Sequence, residues 1–319
     1  MKNYVIGIDL GGTKISTAIS DLNGNVLNMY TKETEAKLGE NKVIENIILT
    51  INTVLNNSNT TLIDIACIGI GCPGPLDIKA GTIISSPNLP FDNFEIIKEL
   101  KKSFDIDFYL DNDANVATIG EYVLGAAKGF DNIVYVTVST GVGGGAIING
   151  ELYRGSTSNA LEVGHMTLDP LGPVCGCGNT GCLEAFSSGT AIAKKANDLL
   201  KTDVITSLRN YETVTSFEVF KEYKNNDAIS IKIIDTALTY LGIGIANIIT
   251  TFDPSMVIIG GGVSNAGDIL FDKVRNIVKE RNFKVMSDNC KIVKAGLGTD
   301  AGVLGAVSLA ILEYRKKDI

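Results

Sequence analysis

The chain's single histidine stands close to three of its six cysteines, as His165, Cys175, Cys177 and Cys182. Three thiolates and one imidazole are the donor set of a tetrahedral Cys3His zinc site. Gly176, Gly178 and Gly181 let the backbone wrap one ion. Four protein ligands close the shell, so the expected Zn2+ is structural and not a water activator. A disulfide, or buried thiols beside an unrelated histidine, is the alternative; the tight spacing favours metal. Glu162 and Glu184 flank the cluster. Alone they would be solvated glutamates, but held by a metal beside a cleft they become acceptors for hydroxyl groups.

A second polar constellation is Asp111-Asn112-Asp113-Ala114-Asn115, between an expected strand and an expected helix. One of these residues is expected to cap the helix, since Asp and Asn are preferred there. The run holds more carboxylates and amides than one cap uses, and α/β proteins keep their sites at the carboxyl ends of strands. Convergent Asn, Asp and Glu side chains suit a polyol, each of whose hydroxyls both donates and accepts. With the only histidine assigned to metal, a carboxylate must serve as any general base.

Three glycine-rich turns offer backbone amides to an anion: Asp9-Leu10-Gly11-Gly12-Thr13-Lys14, Ser139-Thr140-Gly141-Val142-Gly143-Gly144, and Gly260-Gly261-Gly262. None has dinucleotide or Walker A spacing. Any one of them reads equally as a tight turn that needs glycine for its dihedrals. Two at matched positions of a repeat point to a nucleotide phosphate chain.

The elements that must carry these groups do repeat. Tyr4–Asp9 leads into a glycine turn and a hairpin at Asn23-Gly24; Ile133–Ser139 leads into a glycine turn and a hairpin at Asn149-Gly150. Helical periods near 43–55, 94–103 and 114–125 alternate with strands at Ile65–Gly71 and Phe108–Asp111 in the first half. In the second, helices near 231–249, 267–281 and 301–314 alternate with strands at Met256–Gly260 and Cys290–Ala295. The repeat predicts two related α/β lobes with a cleft between them. The expected division is 1–115 for a small lobe, joined by the C-terminal helix 301–319, and 116–300 for a large lobe with a metal-binding insertion near 155–230.

At 319 residues, 45% apolar, the chain is large enough for two cores. Its net charge of −8 argues against a nucleic-acid grip. The apolar runs are shorter than the roughly 20 residues of a membrane span, and Met1–Leu10 lacks the regions of a signal peptide. The expected location is cytoplasmic.

These motifs, with Pro73-Gly74-Pro75, Glu162-Val163-Gly164-His165 and Cys175-Gly176-Cys177-Gly178-x-x-Gly181-Cys182-x-Glu184, resemble the ROK family of sugar kinases and repressors, most of all its bacterial glucokinases. The resemblance runs in order from residue 4 to about 312. It implies an actin-like, hexokinase-type ATPase fold of two ribonuclease-H-like lobes, ATP and Mg2+, a homodimer or homotetramer, and phosphorylation of a sugar hydroxyl, C6 of glucose in the nearest relatives. It implies Asp113 as catalytic base and Asn88, Asn112, Asp113, Glu162, His165 and Glu184 as sugar contacts. Asp9, Gly11, Gly12, Thr13 and Lys14 match the first phosphate loop, Thr140, Gly141, Gly143 and Gly144 the second, and Gly260, Gly261 and Gly262 the adenosine side. N-acetylmannosamine, mannose and fructose are alternative sugars, and a non-catalytic sugar sensor is an alternative function. Relatives have Gly where this chain has Leu161, which bears on sugar identity. ROK repressors carry an N-terminal helix-turn-helix, for which a first strand beginning by Tyr4 leaves no room.

Overall fold

The computed structural model describes residues 2–86 and 88–317. The strands are β1 (Tyr4–Leu10), β2 (Lys14–Asp21), β3 (Val26–Glu33), β4 (Ile65–Cys72), β5 (Leu76–Asp77), β6 (Thr82–Ser85), β7 (Asp92–Phe94), β8 (Phe108–Asn112), β9 (Ile133–Val138), β10 (Val142–Ile148), β11 (Glu151–Leu152), β12 (Met256–Gly260) and β13 (Lys291–Lys294). The helices are α1 (Glu40–Asn57), α2 (Ile96–Leu100), α3 (Asp113–Val123), α4 (Leu183–Ser187), α5 (Gly189–Leu200), α6 (Ser216–Lys224), α7 (Ala228–Phe252), α8 (Asp268–Arg281), α9 (Lys284–Asn289) and α10 (Ala301–Arg315). They divide into two compact units: Met1–Gly129, Leu152–Ala160 and Gly296–Ile319 form one, and Phe130–Glu151 and Leu161–Ala295 the other.

The main sheet of the first unit has the order β3-β2-β1-β4-β8. β1 pairs antiparallel with β2 and parallel with β4, and β4 pairs parallel with β8. Every residue of β4 is buried, as expected of a parallel strand covered on both faces. Ile6, Ile8, Ile68 and Ile70 project into one core with Ile47, Ile51 and Val54 of α1. Val5, Ala18 and Ala66 project the other way, onto Val303, Val307 and Ala310 of α10. The period-two alternation of β1 thus decides which helix covers which face.

The second unit repeats the arrangement strand for strand, in the order β11-β10-β9-β12-β13. Its hairpin turn has Asn149 and Gly150 both in the left-handed region (φ 52 and 79), the geometry that makes Asn-Gly a hairpin signal. The Asn23-Gly24 hairpin is built differently. Only Gly24 is left-handed (φ 89), and the Asp21 carboxylate accepts hydrogen bonds from the Asn23 and Asn25 amides, each at 2.9 Å.

The units differ from the division expected at 115/116. That boundary would cut α3, whose Val116 and Ile119 pack with Ala306 and Leu309 of α10, so the first unit runs to Gly129. Leu152–Ala160 is not the start of the insertion but returns to the first unit, and the second unit ends at Ala295. The core helix α7 passes the length and apolarity test for a membrane span, with mean hydropathy 1.5, although Lys232 and Asp235 keep its continuous apolar runs short. Within the unit, 61% of its apolar window is buried, and it packs against α4, α6 and α8.

Candidate functional site

Because β1, β4 and β8 are parallel, their carboxyl ends lie along one sheet edge of the first unit. The register puts Asp9 beside Gly71, Gly71 beside Asp111, and Cys72 beside Asn112. The three polar residues at the end of β8 divide the work. Asn112 is the N-cap of α3, its Oδ1 accepting from the Ala114 amide at 2.9 Å. Asp111 is fully buried; its Oδ1 accepts from the Asn112 amide (2.8 Å) and Asn115 Nδ2 (2.9 Å), and its Oδ2 from Arg154 Nε (2.8 Å). Asp113 has no part in the ion pair and shares the cap only through one oxygen. Its Oδ1 accepts from the Ala114 amide at 2.8 Å, and although the side chain is exposed, desolvation by the protein atoms around it raises its proton affinity above that of an ordinary carboxylate.

Asp9 is pushed up to about 6, first by burial and then by the negative charge of Asp113, with Lys14 opposing. Its carboxylate lies against the first turn of α10, where a Cβ on Gly302 would stand 2.5 Å from Oδ2. Two carboxylates that each resist ionisation make a place where a bound cation is favoured. The glycine turn beside them is fastened by Thr34, whose hydroxyl donates to the Gly11 carbonyl (2.6 Å) and whose amide donates to the Thr13 carbonyl (2.9 Å). Lys14 is exposed, and so is Asn88, which sits against Gly12.

In the second unit, His165, Cys175, Cys177 and Cys182 bring their donor atoms within 4.8 Å of one another. Cys177 Sγ is 3.8 Å from Cys182 Sγ, and Cys175 Sγ is 3.7 Å from His165 Nδ1. A tetrahedron with zinc–sulfur bonds of about 2.3 Å has sulfur–sulfur edges of about 3.8 Å, so the set is compatible with a structural zinc. Burial pushes the Cys182 thiol up to about 12. Such a thiol ionises only against a compensating cation, which a metal supplies.

Glu184 ties this cluster to the turn after β9. Its Oε1 is 3.6 Å from Cys175 Sγ, and its Oε2 accepts from the Val142 amide at 2.9 Å. Glycine leaves room for the approach: a Cβ on Gly141 would stand 2.5 Å from Oε2 and displace the carboxylate. From the other side, the Gly189 amide at the start of α5 donates to the Ser139 carbonyl at 2.7 Å. Thr140, Cys175 and Glu184 also line a cavity of about 920 Å3 whose other walls come largely from α5 and α7. Glu162 is exposed at the N-cap of the short turn Val163–His165, directly after Leu161, which is buried yet left-handed at φ 65.

The second glycine run is shorter as a turn than its sequence implies. Gly143 and Gly144 lie inside β10, paired with Thr137 and Val136, so only Ser139–Gly141 forms the loop. Gly144 is there for packing, since a Cβ would stand 2.9 Å from Val163 Cγ2. Gly260 ends β12 beside Thr137 of β9, Gly261 turns at φ 80, and a Cβ on Gly262 would meet open space. Thus Asp9, Gly11–Lys14, Asn88, Asn112 and Asp113 share the first unit, and the remaining candidates the second. Arg154 was not among the candidates. A buried Asp111 demands a counter-charge, but no local pattern says which arginine provides it.

The chain matches the ROK family over residues 5–313. A glucokinase from Thermotoga maritima is 35% identical over 313 residues, spanning 97% of this chain and 97% of its own. A xylose repressor from Caldicellulosiruptor bescii is 32% identical over 312 residues, spanning 96% of this chain and 78% of the repressor. The crystal structure of the ROK hexokinase from Thermus thermophilus matches with a TM-score of 0.85 at 33% identity, over 98% of this chain and 99% of that one. Duplicated sheets, a Cys3His loop and full-length similarity agree: the chain belongs to the ROK family.

Proposed function

We propose that the protein is a sugar kinase that transfers the γ-phosphoryl group of ATP to a hexose hydroxyl, converting D-glucose to glucose 6-phosphate. The observation that carries this reading is Asp113, a carboxylate at the carboxyl end of β8 whose proton affinity is raised, which stands outside the Asp111–Arg154 ion pair and gives only Oδ1 to the Ala114 amide. With Oδ1 occupied by the Ala114 amide, Oδ2 takes the proton of the attacking sugar hydroxyl. The sugar oxygen bonds to the γ-phosphorus as the bond to the ADP bridging oxygen breaks, and its proton follows onto Oδ2. The transition state is loose, so the proton moves late and positioning dominates the rate.

Asp9 would hold Mg2+ beside Asp113, and Mg2+ when bound offsets the charge of the phosphates. Gly11–Lys14, Thr140–Gly141 and Gly260–Gly262 bind the nucleotide. Asn88, Asn112, Glu162, His165 and Glu184 orient the sugar. His165 would hold zinc through Nδ1, which faces Cys175 Sγ, and so keep Nε2 for a sugar hydroxyl. A panel of hexoses and N-acetylhexosamines with ATP, read by coupled ADP release, tests the reading. Glucose should turn over fastest; a faster mannose, fructose or N-acetylmannosamine would reassign the sugar, and no turnover on any would remove the kinase.

The similarity to a xylose repressor supports one second reading, a sugar sensor without transfer. It predicts sugar binding by calorimetry with no ADP released.

A further inference from the structure

Asp113 owes its position to Asp111, and Asp111 in turn depends on a residue from a distant part of the sequence. The segment Leu152–Ala160 belongs to the first unit although the chain on both sides of it belongs to the second. Two features settle it there. Leu152 packs with the Val116–Ile119 cluster of α3, and Arg154 Nε donates to Asp111 Oδ2 at 2.8 Å. The segment closes on itself, the Ala160 amide donating to the Arg154 carbonyl at 3.1 Å, and then runs directly into Leu161 and Glu162.

Asp111 is fully buried, while the Arg154 side chain is 28% exposed. One carboxylate oxygen faces Arg154, and the other gathers the Asn112 amide and the Asn115 side chain. These two contacts fix the backbone on either side of Asp113. A charge-assisted bond to a planar guanidinium is directional, unlike one to a lysine ammonium. The orientation of the Asp111 carboxylate is therefore set by Arg154, and the start of α3 is set by Asp111.

We propose that Arg154 is a positioning residue for phosphoryl transfer, acting through Asp111 to aim the Asp113 carboxylate at the sugar hydroxyl. The inference deepens the kinase reading and rests on it. The competing view is a purely structural ion pair. Removing Arg154 alone strands a buried charge and lowers stability, so stability and positioning must be separated. The double variant D111N/R154M removes both charges at once and relieves that penalty. It leaves neither the directional bond between positions 111 and 154 nor the carboxylate that gathers the Asn112 amide and the Asn115 side chain.

The experiment compares wild type, R154M, R154K and D111N/R154M by thermal midpoint, kcat and KM for ATP. R154M should lose kcat about tenfold or more, since small misplacements of a catalytic group are costly. KM for ATP should stay within about twofold, because the Gly11–Lys14 turn is fastened by Thr34 and not by Asp111. R154K should restore part of the lost kcat. The double variant should recover the midpoint but not kcat. Recovery of both together would make the pair structural only and overturn the inference, as would wild-type kcat in R154M. If R154M does not fold, the double variant and R154K decide. Absence of turnover by wild type on every sugar would instead overturn the kinase reading, and the inference with it.

Discussion

Leu161 is a buried leucine, 9% exposed, held at φ 65 immediately before Glu162. It stands where the family resemblance leads one to expect glycine. A non-glycine residue in the left-handed region costs about 1–2 kcal/mol, which glycine would not incur. Replacing Leu161 by alanine removes most of the buried side chain, at about 3–4 kcal/mol, and keeps the backbone cost. Replacing it by glycine removes one further methyl, about 0.8 kcal/mol, and adds about 0.5–1 kcal/mol of unfolded-chain entropy. It also recovers the left-handed cost. These terms nearly cancel, so L161G should be about as stable as L161A. At a buried leucine of ordinary φ, such as Leu270 in α8, nothing offsets the glycine terms, and L270G should fall about 1.5–2 kcal/mol below L270A. Urea midpoints of the four variants under one set of conditions test the difference. A glycine-to-alanine gap at 161 as large as that at 270 would refute the claim that Leu161 is strained.

Asp113→Asn should lower kcat by about 10²–10⁴ while calorimetry shows sugar affinity little changed; near-wild-type kcat would mean another base. Metal analysis should find about one Zn2+ per chain, because four protein ligands are completed by one ion; C182S should lose that metal and melt earlier, and a metal-free chain of full stability would remove the site. The pH dependence follows from Asp9, whose folded pKa of about 6 exceeds its ordinary 3.8. The folded state binds that proton more tightly than the unfolded one, so Asp9's contribution is complete below about 4 and is lost as pH rises through about 6. Asp9→Asn should therefore raise the thermal midpoint at pH 8, by at most about 3 kcal/mol of stability, and the two proteins should converge near pH 4. Equal midpoints at pH 8 would show that Asp9 is not destabilised by its surroundings.

Much of this was legible in the sequence because the signals were local. The Asn-Gly turns, the apolar run of β1 and the spacing of His165, Cys175, Cys177 and Cys182 each need only a short window. What was not legible depends on pairs far apart in the chain. Gly143 and Gly144 look like turn residues, yet they pair with β9, and at Gly144 close packing against Val163 favours glycine within the strand. The boundary at Gly129 depends on α3 meeting α10, and no composition change marks it. Arg154 is invisible for the same reason: its partner precedes it by 43 positions. Leu161 stands out in the sequence as a departure, but only its φ shows that the departure has a backbone cost.

The division of labour among the three polar residues at the end of β8 explains why the motif is longer than a cap. A helix beginning at a carboxylate proposed as a base needs its first amides satisfied, but if that residue did so alone, its charge would be spent on the helix. Here Asn112, a neutral side chain, shares the Ala114 amide with Asp113. Asp111 anchors the backbone on both sides with a charge that is fully compensated by Arg154. Asp113 therefore keeps one oxygen clear of the Ala114 amide near Asp9, and both carboxylates hold protons more tightly than usual. A carboxylate of raised proton affinity is a better base than an ordinary one. The cap, the ion pair and the proposed base thus fall mainly to three separate residues, because no one carboxylate can stay available while doing all three jobs.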